Sequence, residues 1–495
     1  MSFSVSYARD FAQQGYTHIP LTMVLSSDTL TPVAAFLKLR SSISDRSFLL
    51  ESADGGEDVG RYSFIGLNPK GHLTLKSGVL EYEFDGERFS GVPRDPAGKI
   101  SSILRKIRSP KIDGIPEFCP GGVGYVSYDY VRYLEHLPDR ESPAGGYEVR
   151  MHFFSEILIF DRLKHRIFLI HYLPVSKAED GYGYESAMER LAELKSRLFE
   201  SSCGIDELCI DPDAPCDFEK LGIKPSVGRQ RYVEAVGKIK KYIRGGDIFQ
   251  CVLSDSFSFH FDADPFKVYR VLRMLNPSPY LFYLGNGDEF LAGSSPEMLI
   301  RSVNGNLTTS PIAGSRPRGM DRDEDLKLER QLMASVKEKA EHLMLVDLGR
   351  NDIGRVAKPG SVRVSEFMSI HRYSHVMHLV SRVEGRLLSG ISPWQALGAC
   401  FPAGTLSGAP KIRAMEIIDE LEPSKRETYG GAVVAYDLSG NLNSCITIRS
   451  LHVKDGVGVV RAGAGIVADS RPEKEYDEVV NKAMAVLKSV SLARP

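Results

Sequence analysis

The sequence is poor in cysteine and has no long apolar run. Its seven cysteines form no C-x-x-C pair, and an odd number at wide spacings argues against a disulfide scaffold or a zinc knuckle. No stretch approaches the roughly 18 apolar residues of a membrane span. The first residues, MSFSVSYARDFAQQ, lack the basic start and apolar run of a signal peptide. We therefore expect reduced thiols in a cytoplasmic protein with no membrane association.

An excess of charge of either sign is also absent. Lys and Arg together number 62 and Asp and Glu number 64, so no broad basic field exists to attract nucleic acid or an anionic membrane. Charged and apolar fractions of 25% and 42% are those of an ordinary globular protein, which argues against disorder. At 495 residues the chain exceeds one ordinary core, so we expect two or three cooperating domains.

The pattern along the chain predicts three parts. Residues 16–175 hold short alternating or apolar runs between Gly, Asp and Pro clusters, which indicates a mostly β domain. Residues 176–227 begin with helical periodicity and continue as a polar, proline-bearing linker. In residues 228–490, helices alternate with strands joined by hairpin turns such as those at 303–305 and 455–456. This order predicts an α+β fold with antiparallel sheets.

Two predicted helices each carry a Glu-x-x-Glu pair. A helix over 323–349 would place Leu332, Val336, Ala340 and Leu343 on one apolar stripe, with Glu338 and Glu341 together off that stripe.

A second helix over 472–490, opened by a capping-box pattern from Ser470 to Glu473, carries Glu475 and Glu478. Carboxylates on rigid helices suit Mg²⁺, which leaves coordination positions open for substrate and water. A single such pair is more often a solvated helix face, and the spacing alone favours that alternative.

Three further features have a structural and a functional interpretation. PAGTLSGAPKIR (402–413) places a small-residue turn before a helix, where backbone N–H groups and Thr405 could meet an anion, but it does not match the nucleotide-binding phosphate loop. Arg449 lies among apolar neighbours in a predicted strand, which suits either a ligand carboxylate or a structural ion pair. His378 is either a satisfied core histidine or a catalyst.

The order of several motifs resembles the chorismate-utilising enzymes, and NPSPYLFYL (276–284) with LLES (49–52) is most similar to the anthranilate synthase branch of that family. The motifs are PIAGSRPRG (311–319), EHLMLVDLGRND (341–352), HVMHLVSRVEG (375–385), PAGTLSGAPK (402–411), YGGAVVAYD (429–437), CITIRS (445–450), RAGAGIVADS (461–470) and DEVVNKA (477–483). The resemblance covers about 16–487. It implies the family fold, a two-domain sandwich of antiparallel β-sheets with helices packed outside.

The resemblance also implies an active site. Glu341 and Glu478 would bind the cofactor Mg²⁺, with Glu338 and Glu475 supporting them. His378 would act as general acid or base near the departing 4-hydroxyl of chorismate, and Gln250 would lie near the incoming nucleophile. The remaining implied catalytic and chorismate-binding residues are Thr405, Gly314, Ser315, Tyr429, Arg449, Gly463, Ala464 and Gly465.

Two positions discriminate between members of this family. Aminodeoxychorismate synthases usually carry a nucleophilic Lys where this chain has Ala313, which has no such group. Isochorismate and salicylate synthases usually carry a Lys base at the position of Gln250. One departure is Ser315, where the family usually has Thr, and the hydroxyl is kept. The resemblance therefore implies anthranilate formation from chorismate and ammonia, with loss of pyruvate.

The branch also implies feedback inhibition by L-tryptophan bound between the two domains. Without the resemblance, NPSPY would be interpreted as a proline-rich turn and LLES as a strand end. The family often has Met at Leu281, which is a mild apolar change. The implied tryptophan-binding residues are Glu51, Ser52, Asn276, Pro277, Pro279, Tyr280, Leu281, Gly293 and Cys445.

No cysteine lies in a G-x-C-x-G nucleophile turn, so the chain has no recognisable glutaminase. The resemblance therefore implies a separate glutamine amidotransferase subunit that supplies ammonia, in a heterodimer or heterotetramer. Two alternatives remain open from the sequence. The chain could be an aminodeoxychorismate synthase component, or a catalytically silent protein that binds tryptophan as a regulator.

Overall fold

The computed structural model of the chain describes residues 5–40, 44–53, 60–138, 145–178, 182–200, 207–212, 214, 218–372 and 376–494. Its framework is two large β-sheets in which every pairing between described strands is antiparallel. Helices pack against these sheets. The α+β sandwich predicted from the sequence is confirmed.

The first ten strands come from the part of the chain predicted to be mostly β. They are β1 (His18–Ser26), β2 (Arg46–Glu51), β3 (Tyr62–Leu67), β4 (Gly71–Lys76), β5 (Val79–Phe84), β6 (Glu87–Gly91), β7 (Pro120–Val126), β8 (Val149–Phe153), β9 (Glu156–Asp161) and β10 (Arg166–Pro174).

The remaining strands begin in the last residues of the predicted linker, of which 201–206, 213 and 215–217 lie outside the described residues. They are β11 (Lys224–Pro225), β12 (Gln250–His260), β13 (Tyr280–Asn286), β14 (Glu289–Ser295), β15 (Met298–Val303), β16 (Asn306–Thr309), β17 (Ile312–Pro317), β18 (Arg363–Arg372), β19 (Val376–Arg386), β20 (Gly408–Ala409), β21 (Ala432–Asp437), β22 (Leu442–Ile446), β23 (Ser450–Lys454) and β24 (Val457–Ile466).

The helices are distributed along the whole described chain, and short 3₁₀ helices cover Tyr128–Tyr133 and Gly404–Leu406. The α-helices are α1 (Val5–Gln13), α2 (Pro32–Arg40), α3 (Pro96–Lys106), α4 (Val175–Ala178), α5 (Tyr182–Phe199), α6 (Gly228–Gly245), α7 (Pro265–Leu275), α8 (Arg322–Ala334), α9 (Val336–Gly354), α10 (Pro393–Cys400), α11 (Lys411–Leu421) and α12 (Pro472–Ala493).

Both sheets mix strands from the two halves of the chain. The first sheet has the order β1-β10-β9-β3-β2-β13-β14-β23-β24-β12-β11, with β20 on β12. The second has the order β17-β19-β16-β15-β22-β21-β7-β8-β4-β5-β6, with β18 on β19. The two halves join at β2–β13 in the first sheet and at β7–β21 in the second. The boundaries near 175 and 228 remain a prediction about domains.

Two apolar cores hold this framework together. One contains side chains from both sheets, such as Phe48 and Phe282 of the first and Met151 of the second. The other lies between the first sheet and the helices, and includes Tyr232 of α6 and Val486 of α12. Burial of such side chains removes apolar surface from water and is the main driving force for folding.

The single helix predicted over 323–349 is wrong, because the structure divides it at Ser335. Ser335 ends α8 and begins α9, where its hydroxyl accepts a hydrogen bond from the backbone N–H of Glu338. The break rotates the two segments, so the predicted apolar stripe is also wrong. Leu332 is fully buried, whereas Val336 and Leu343 are 82% and 46% exposed.

Three local predictions change for similar reasons. The capping box at the start of α12 is wrong, because Arg471 occupies the N-cap position and Ser470 accepts a hydrogen bond from Val467 instead. The helix predicted to follow the small-residue turn in 402–413 begins at Lys411, since Gly408 pairs with β12. The strand predicted through Arg449 is interrupted, and Arg449 forms the turn between β22 and β23. The hairpin turns at 303–305 and 455–456 are confirmed, with positive φ at both central residues.

Candidate active site

A cavity of about 420 Å³ brings together nearly all residues implied for chorismate, metal and catalysis. Its walls come from the edges of both sheets and from α9 and α12. The volume is within the roughly 300–1,000 Å³ of small-molecule sites. The implied residues that line it are Gln250, Gly314, Ser315, Glu338, Glu341, His378, Thr405, Tyr429, Arg449, Gly463, Gly465, Glu475 and Glu478.

Ala464 is the exception among the implied active-site residues. It lies on β24 between Gly463 and Gly465, and successive residues of a strand point to opposite faces. The Ala464 side chain is fully buried in the core beneath the first sheet. Only its two glycine neighbours face the cavity.

The two glutamate pairs face one cavity from two helices. Burial raises the pKa of Glu341, and the neighbouring carboxylates of Glu338 and Glu478 raise it further. Lys482, four residues after Glu478 on α12, forms an ion pair of 2.7 Å with it and donates a hydrogen bond to the Gly463 carbonyl. The four glutamates on α9 and α12 therefore place negative charge on one part of the cavity wall, where a cation would stabilise it.

The donor set suits a hard divalent cation, although the side chains are not assembled into a finished cluster. Among the residues that the structure describes, no group of three or more His, Cys, Asp or Glu side chains converges in a geometry that could hold a metal. Mg²⁺ commonly uses one or two protein carboxylates and completes its shell with water and substrate oxygens. Glu341 and Glu478 meet that requirement, because each comes from a different helix wall.

His378 is held as a neutral imidazole. Its Nδ1 lies 3.1 Å from the carbonyl oxygen of Gly314, which can only accept, so Nδ1 carries the proton and Nε2 is the basic nitrogen. Burial lowers the pKa of His378, and the positive charge of Arg449 lowers it further. Gly314 reaches His378 through an irregularity in the pairing of β17 with β19, where its φ is +70°. This geometry suits a general base.

Glu297 is a cavity residue that the sequence analysis missed. It lies between β14 and β15, and its Oε1 accepts a hydrogen bond of 2.9 Å from the Thr405 hydroxyl. Burial raises the pKa of Glu297 to about 7, against the opposing effects of Thr405, Arg449 and Lys482. A carboxyl that is half protonated at neutral pH suits a general acid. Its only sequence signal is a lone glutamate before an apolar strand run.

Arg449 projects from a constrained turn. Its φ is +48°, a left-handed conformation that costs a non-glycine residue about 1–3 kcal/mol unless its surroundings enforce it. The carbonyl of Arg449 accepts a hydrogen bond of 3.1 Å from the backbone N–H of Ser294. Burial lowers the pKa of Arg449, against the attraction of Glu297. A largely desolvated guanidinium in the cavity wall suits a ligand carboxylate.

Gln250 and two glycines of β24 also line the cavity. Gln250 is 5% exposed, and its Oε1 has no hydrogen-bond partner within the described part of the chain. A side chain at Gly465 would place its Cβ 2.6 Å from the Gln250 amide nitrogen, and one at Gly463 would lie 2.7 Å from the Tyr429 hydroxyl. Glycine at both positions therefore gives these polar groups access to the cavity.

A second cavity, of about 60 Å³, lies between the two sheets and contains most of the residues implied for tryptophan. Those residues are Glu51, Ser52, Pro279, Tyr280, Leu281 and Cys445. Aromatic side chains of Tyr62, Phe64 and Phe118 complete its walls. The volume is far below the roughly 300 Å³ at which ligand pockets begin, so a bound amino acid would have to push the walls apart.

The other three implied tryptophan residues lie outside that cavity. Asn276 caps the C-terminus of α7 and lines an open cavity that adjoins the active site and shares Ser315 and Arg449 with it. Gly293 is packed under Phe282, whose ring atom would lie 2.2 Å from a Cβ there. Pro277 lines neither cavity.

Comparison with known proteins identifies the family of the chain. The family model for chorismate binding enzymes matches residues 45–488. The chain belongs to the chorismate binding enzymes. It is 44% identical to anthranilate synthase component 1 of Acetivibrio thermocellus, covering 97% of this chain and 96% of the relative. It is 43% identical to the protein of that name from Pseudomonas aeruginosa, covering 97% of each.

Solved structures give the same relationship. The crystal structure of anthranilate synthase component I from Streptococcus pneumoniae superposes with a TM-score of 0.76 at 34% identity, over 94% of this chain and 99% of that one. The menaquinone-specific isochorismate synthase of Escherichia coli shares the fold, with a TM-score of 0.68 at 18% identity over 98% and 99% of the two chains.

Among the residues that the structure of this chain describes, no helix is long and apolar enough to cross a membrane.

Proposed function

We propose that this enzyme converts chorismate and ammonia to anthranilate and pyruvate, the first step of tryptophan biosynthesis. The relatives named anthranilate synthase component 1 support this reaction. The observation that carries the choice within the family is Gln250, a buried amide with an unsatisfied acceptor in the cavity wall. An amide oxygen can accept a hydrogen bond from ammonia but cannot deprotonate water.

Chorismate carries two carboxylates, and the cavity offers cationic groups for both. Arg449 and the Tyr429 hydroxyl would hold one carboxylate on the wall beside Gly463. Glu341 and Glu478 would hold Mg²⁺, supported by Glu338 and Glu475. When bound, Mg²⁺ would act as a Lewis acid and template for the other carboxylate.

In the first step, ammonia adds at ring carbon 2 while the 4-hydroxyl departs. Gln250 would orient the ammonia through its Oε1. Glu297 would give its proton to the departing hydroxyl, which leaves as water, and the carboxylate so formed would take the excess proton from the new C–N group. The Thr405 hydroxyl would hold Glu297 in place for both transfers.

In the second step, the proton on carbon 2 is removed and the enolpyruvyl C–O bond breaks, so that the ring becomes aromatic. The enolate of pyruvate departs and takes up one proton at its methylene carbon, which balances the proton lost from the ring. This step needs a base that is unprotonated at neutral pH. His378 meets that need, because its Nδ1–H is committed to Gly314 and its pKa is lowered. The two titratable groups thus divide the acid and base roles.

Ammonia would come from a glutamine amidotransferase subunit, since no cysteine of this sequence lies in a G-x-C-x-G turn. The word "component" in the relatives' names is consistent with a heteromeric enzyme. Tryptophan would inhibit the enzyme by binding the cavity between the sheets at Ser52, Tyr280 and Leu281.

A direct assay tests the proposal. The purified chain is incubated with chorismate, Mg²⁺ and ammonium, and anthranilate fluorescence is followed with and without tryptophan. We expect anthranilate with ammonium but not with glutamine alone, and less of it with tryptophan. Formation of para-aminobenzoate precursors or isochorismate instead would contradict the proposed reaction, and tryptophan binding without any turnover would support a silent regulator.

A further inference from the structure

The residues between α7 and β13 form one short turn that borders two cavities. Asn276, at its start, lines an open cavity that adjoins the active site and shares Ser315, His378 and Arg449 with it. Pro279, at its end, and Tyr280, the first residue of β13, line the small cavity between the sheets. A displacement at one end of the turn should also move the other end, because only two residues separate Asn276 from Pro279.

Ser294 connects this turn to the substrate arginine. Its hydroxyl donates to the Asn276 carbonyl and accepts a hydrogen bond of 3.4 Å from the Asn276 amide. Its backbone N–H donates to the carbonyl of Arg449 over 3.1 Å. Ser294 is fully buried in β14, so these groups have no water to replace the missing partners if the turn moves.

The opposite side of the turn is tied to the wall of the small cavity. The backbone N–H of Ala53, directly after Ser52, donates to the carbonyl of Ser278 over 3.0 Å. Glu51 accepts a hydrogen bond of 2.7 Å from Tyr269 of α7. The strand end that lines the small cavity is therefore bonded to both α7 and the turn that follows it.

We propose that Ser294 is a positioning residue that couples the small cavity to Arg449 through the turn 276–280. This inference rests on the proposed tryptophan site and names how that site acts on catalysis. A ligand that widens the 60 Å³ cavity displaces Pro279 and Tyr280, and the movement passes through Asn276 and Ser294 to the Arg449 turn. Arg449 holds a left-handed conformation, so its guanidinium direction depends on the hydrogen bonds that enforce it.

The test measures the thermodynamic linkage between the two ligands. The Kd of tryptophan is measured by calorimetry with Mg²⁺, with and without saturating chorismate, and ammonium is omitted so that chorismate is not consumed. In the parent we expect chorismate to weaken tryptophan binding by about tenfold. In Ser294→Ala, which keeps the backbone bond to Arg449 but loses the hydroxyl link to Asn276, we expect that ratio to fall below about threefold.

Two controls keep the result specific. Ser302→Ala removes another buried serine hydroxyl, which has no hydrogen-bond partner among the described residues and lines neither cavity, and should keep the parental ratio. Ser294→Cys, with a weaker donor of similar size, should give an intermediate ratio. An unchanged ratio in Ser294→Ala would overturn the coupling role alone. If the parent does not bind tryptophan, the proposed tryptophan site is wrong as well. Anthranilate formation is measured separately in the same preparation, so the proposed reaction is tested independently.

Discussion

The Thr405 hydroxyl donates a 2.9 Å hydrogen bond to Oε1 of Glu297, inside a cavity where burial raises the pKa of that carboxyl to about 7. The two residues come from distant parts of the chain, yet their contact sets the acidity of the proposed proton donor. Thr405 stabilises the ionised form, and burial favours the protonated form. Catalysis should therefore respond to pH through this pair.

Glu297→Gln should lower kcat by roughly 10²- to 10⁴-fold, because the amide cannot protonate the departing hydroxyl. In the parent, kcat/KM should fall as pH rises through about 7, since only the protonated carboxyl is the acid. That alkaline limb should be missing in the variant. The measurement is anthranilate formation from chorismate and ammonium across pH, corrected for the ionisation of ammonium. A variant that keeps the parental limb would exclude Glu297 as its source.

Thr405→Ala should keep the alkaline limb of the pH profile and move it to higher pH, whereas Glu297→Gln removes it. Without the hydroxyl, the ionised form of Glu297 loses a hydrogen bond, so its pKa should rise and the limb should shift upward by about one pH unit. Thr309→Ala is the matched control, because the Thr309 hydroxyl bonds to a backbone carbonyl and does not line the active-site cavity. A shift of equal size in both variants would contradict the direct contact as the cause.

The position of Lys482 predicts that its ammonium group competes with Mg²⁺ for the carboxylate of Glu478. Their ion pair is about half exposed and is worth about 0.2–1 kcal/mol, so Lys482→Met should tighten Mg²⁺ binding in the absence of chorismate by up to about fivefold. Glu478→Gln should weaken it. Calorimetric titration with Mg²⁺ measures both, and Lys488→Met, farther along α12, should behave as the parent. If the parent, Lys482→Met and Glu478→Gln bind Mg²⁺ with equal affinity, Glu478 is not a metal ligand.

The helix spacing in the sequence was sufficient to predict the glutamate pairs, but not the helix that carries the first of them. Residues three apart on a helix share a face wherever the helix begins, so Glu338 and Glu341 face the cavity despite the break at Ser335. The apolar stripe depended on one uninterrupted helix and was wrong for that reason. A prediction from residues within one helical turn survives a break elsewhere in the helix, whereas a prediction from a stripe over several turns does not.

Tertiary packing decides the features that the sequence could not predict. The raised pKa of Glu297 comes from burial, and its hydrogen-bond partner Thr405 lies far away in the chain. The sequence pattern predicts that Arg449 is part of a strand. Its left-handed turn is instead stabilised by a hydrogen bond from Ser294 on a neighbouring strand. The period of two along β24 could have separated Ala464 from Gly463 and Gly465, because alternation needs no tertiary information.

Gln250→Leu should separate ammonia use from chorismate binding. Loss of one hydrogen bond to ammonia should raise KM for ammonium by about three- to tenfold, while KM for chorismate changes little. Gln230→Leu, on an exposed part of α6, is the matched control and should leave both constants unchanged. If KM for chorismate rises instead and KM for ammonium does not, Gln250 contacts chorismate and does not orient the nucleophile.

The buried ion pair of Arg426 and Glu422 should be the most sensitive point for stability near the cavity. Both side chains are 2% exposed, and their oxygen and nitrogen atoms approach to 2.6 Å. Arg426 also donates to the carbonyls of Val252 and Leu406, both of which line the cavity. Burial alone would raise the pKa of Glu422, but the charge of Arg426 holds it below its usual range.

Arg426→Met should therefore lower the free energy of unfolding by about 3–5 kcal/mol, because it leaves a buried carboxylate without its counter-charge. Replacing Glu422 with Met in addition should recover part of that loss, since an apolar pair needs no compensation. Urea denaturation followed by circular dichroism measures both effects at neutral pH. If the double variant is no more stable than Arg426→Met alone, the hydrogen bonds to Val252 and Leu406 contribute the stability, and the paired charges do not.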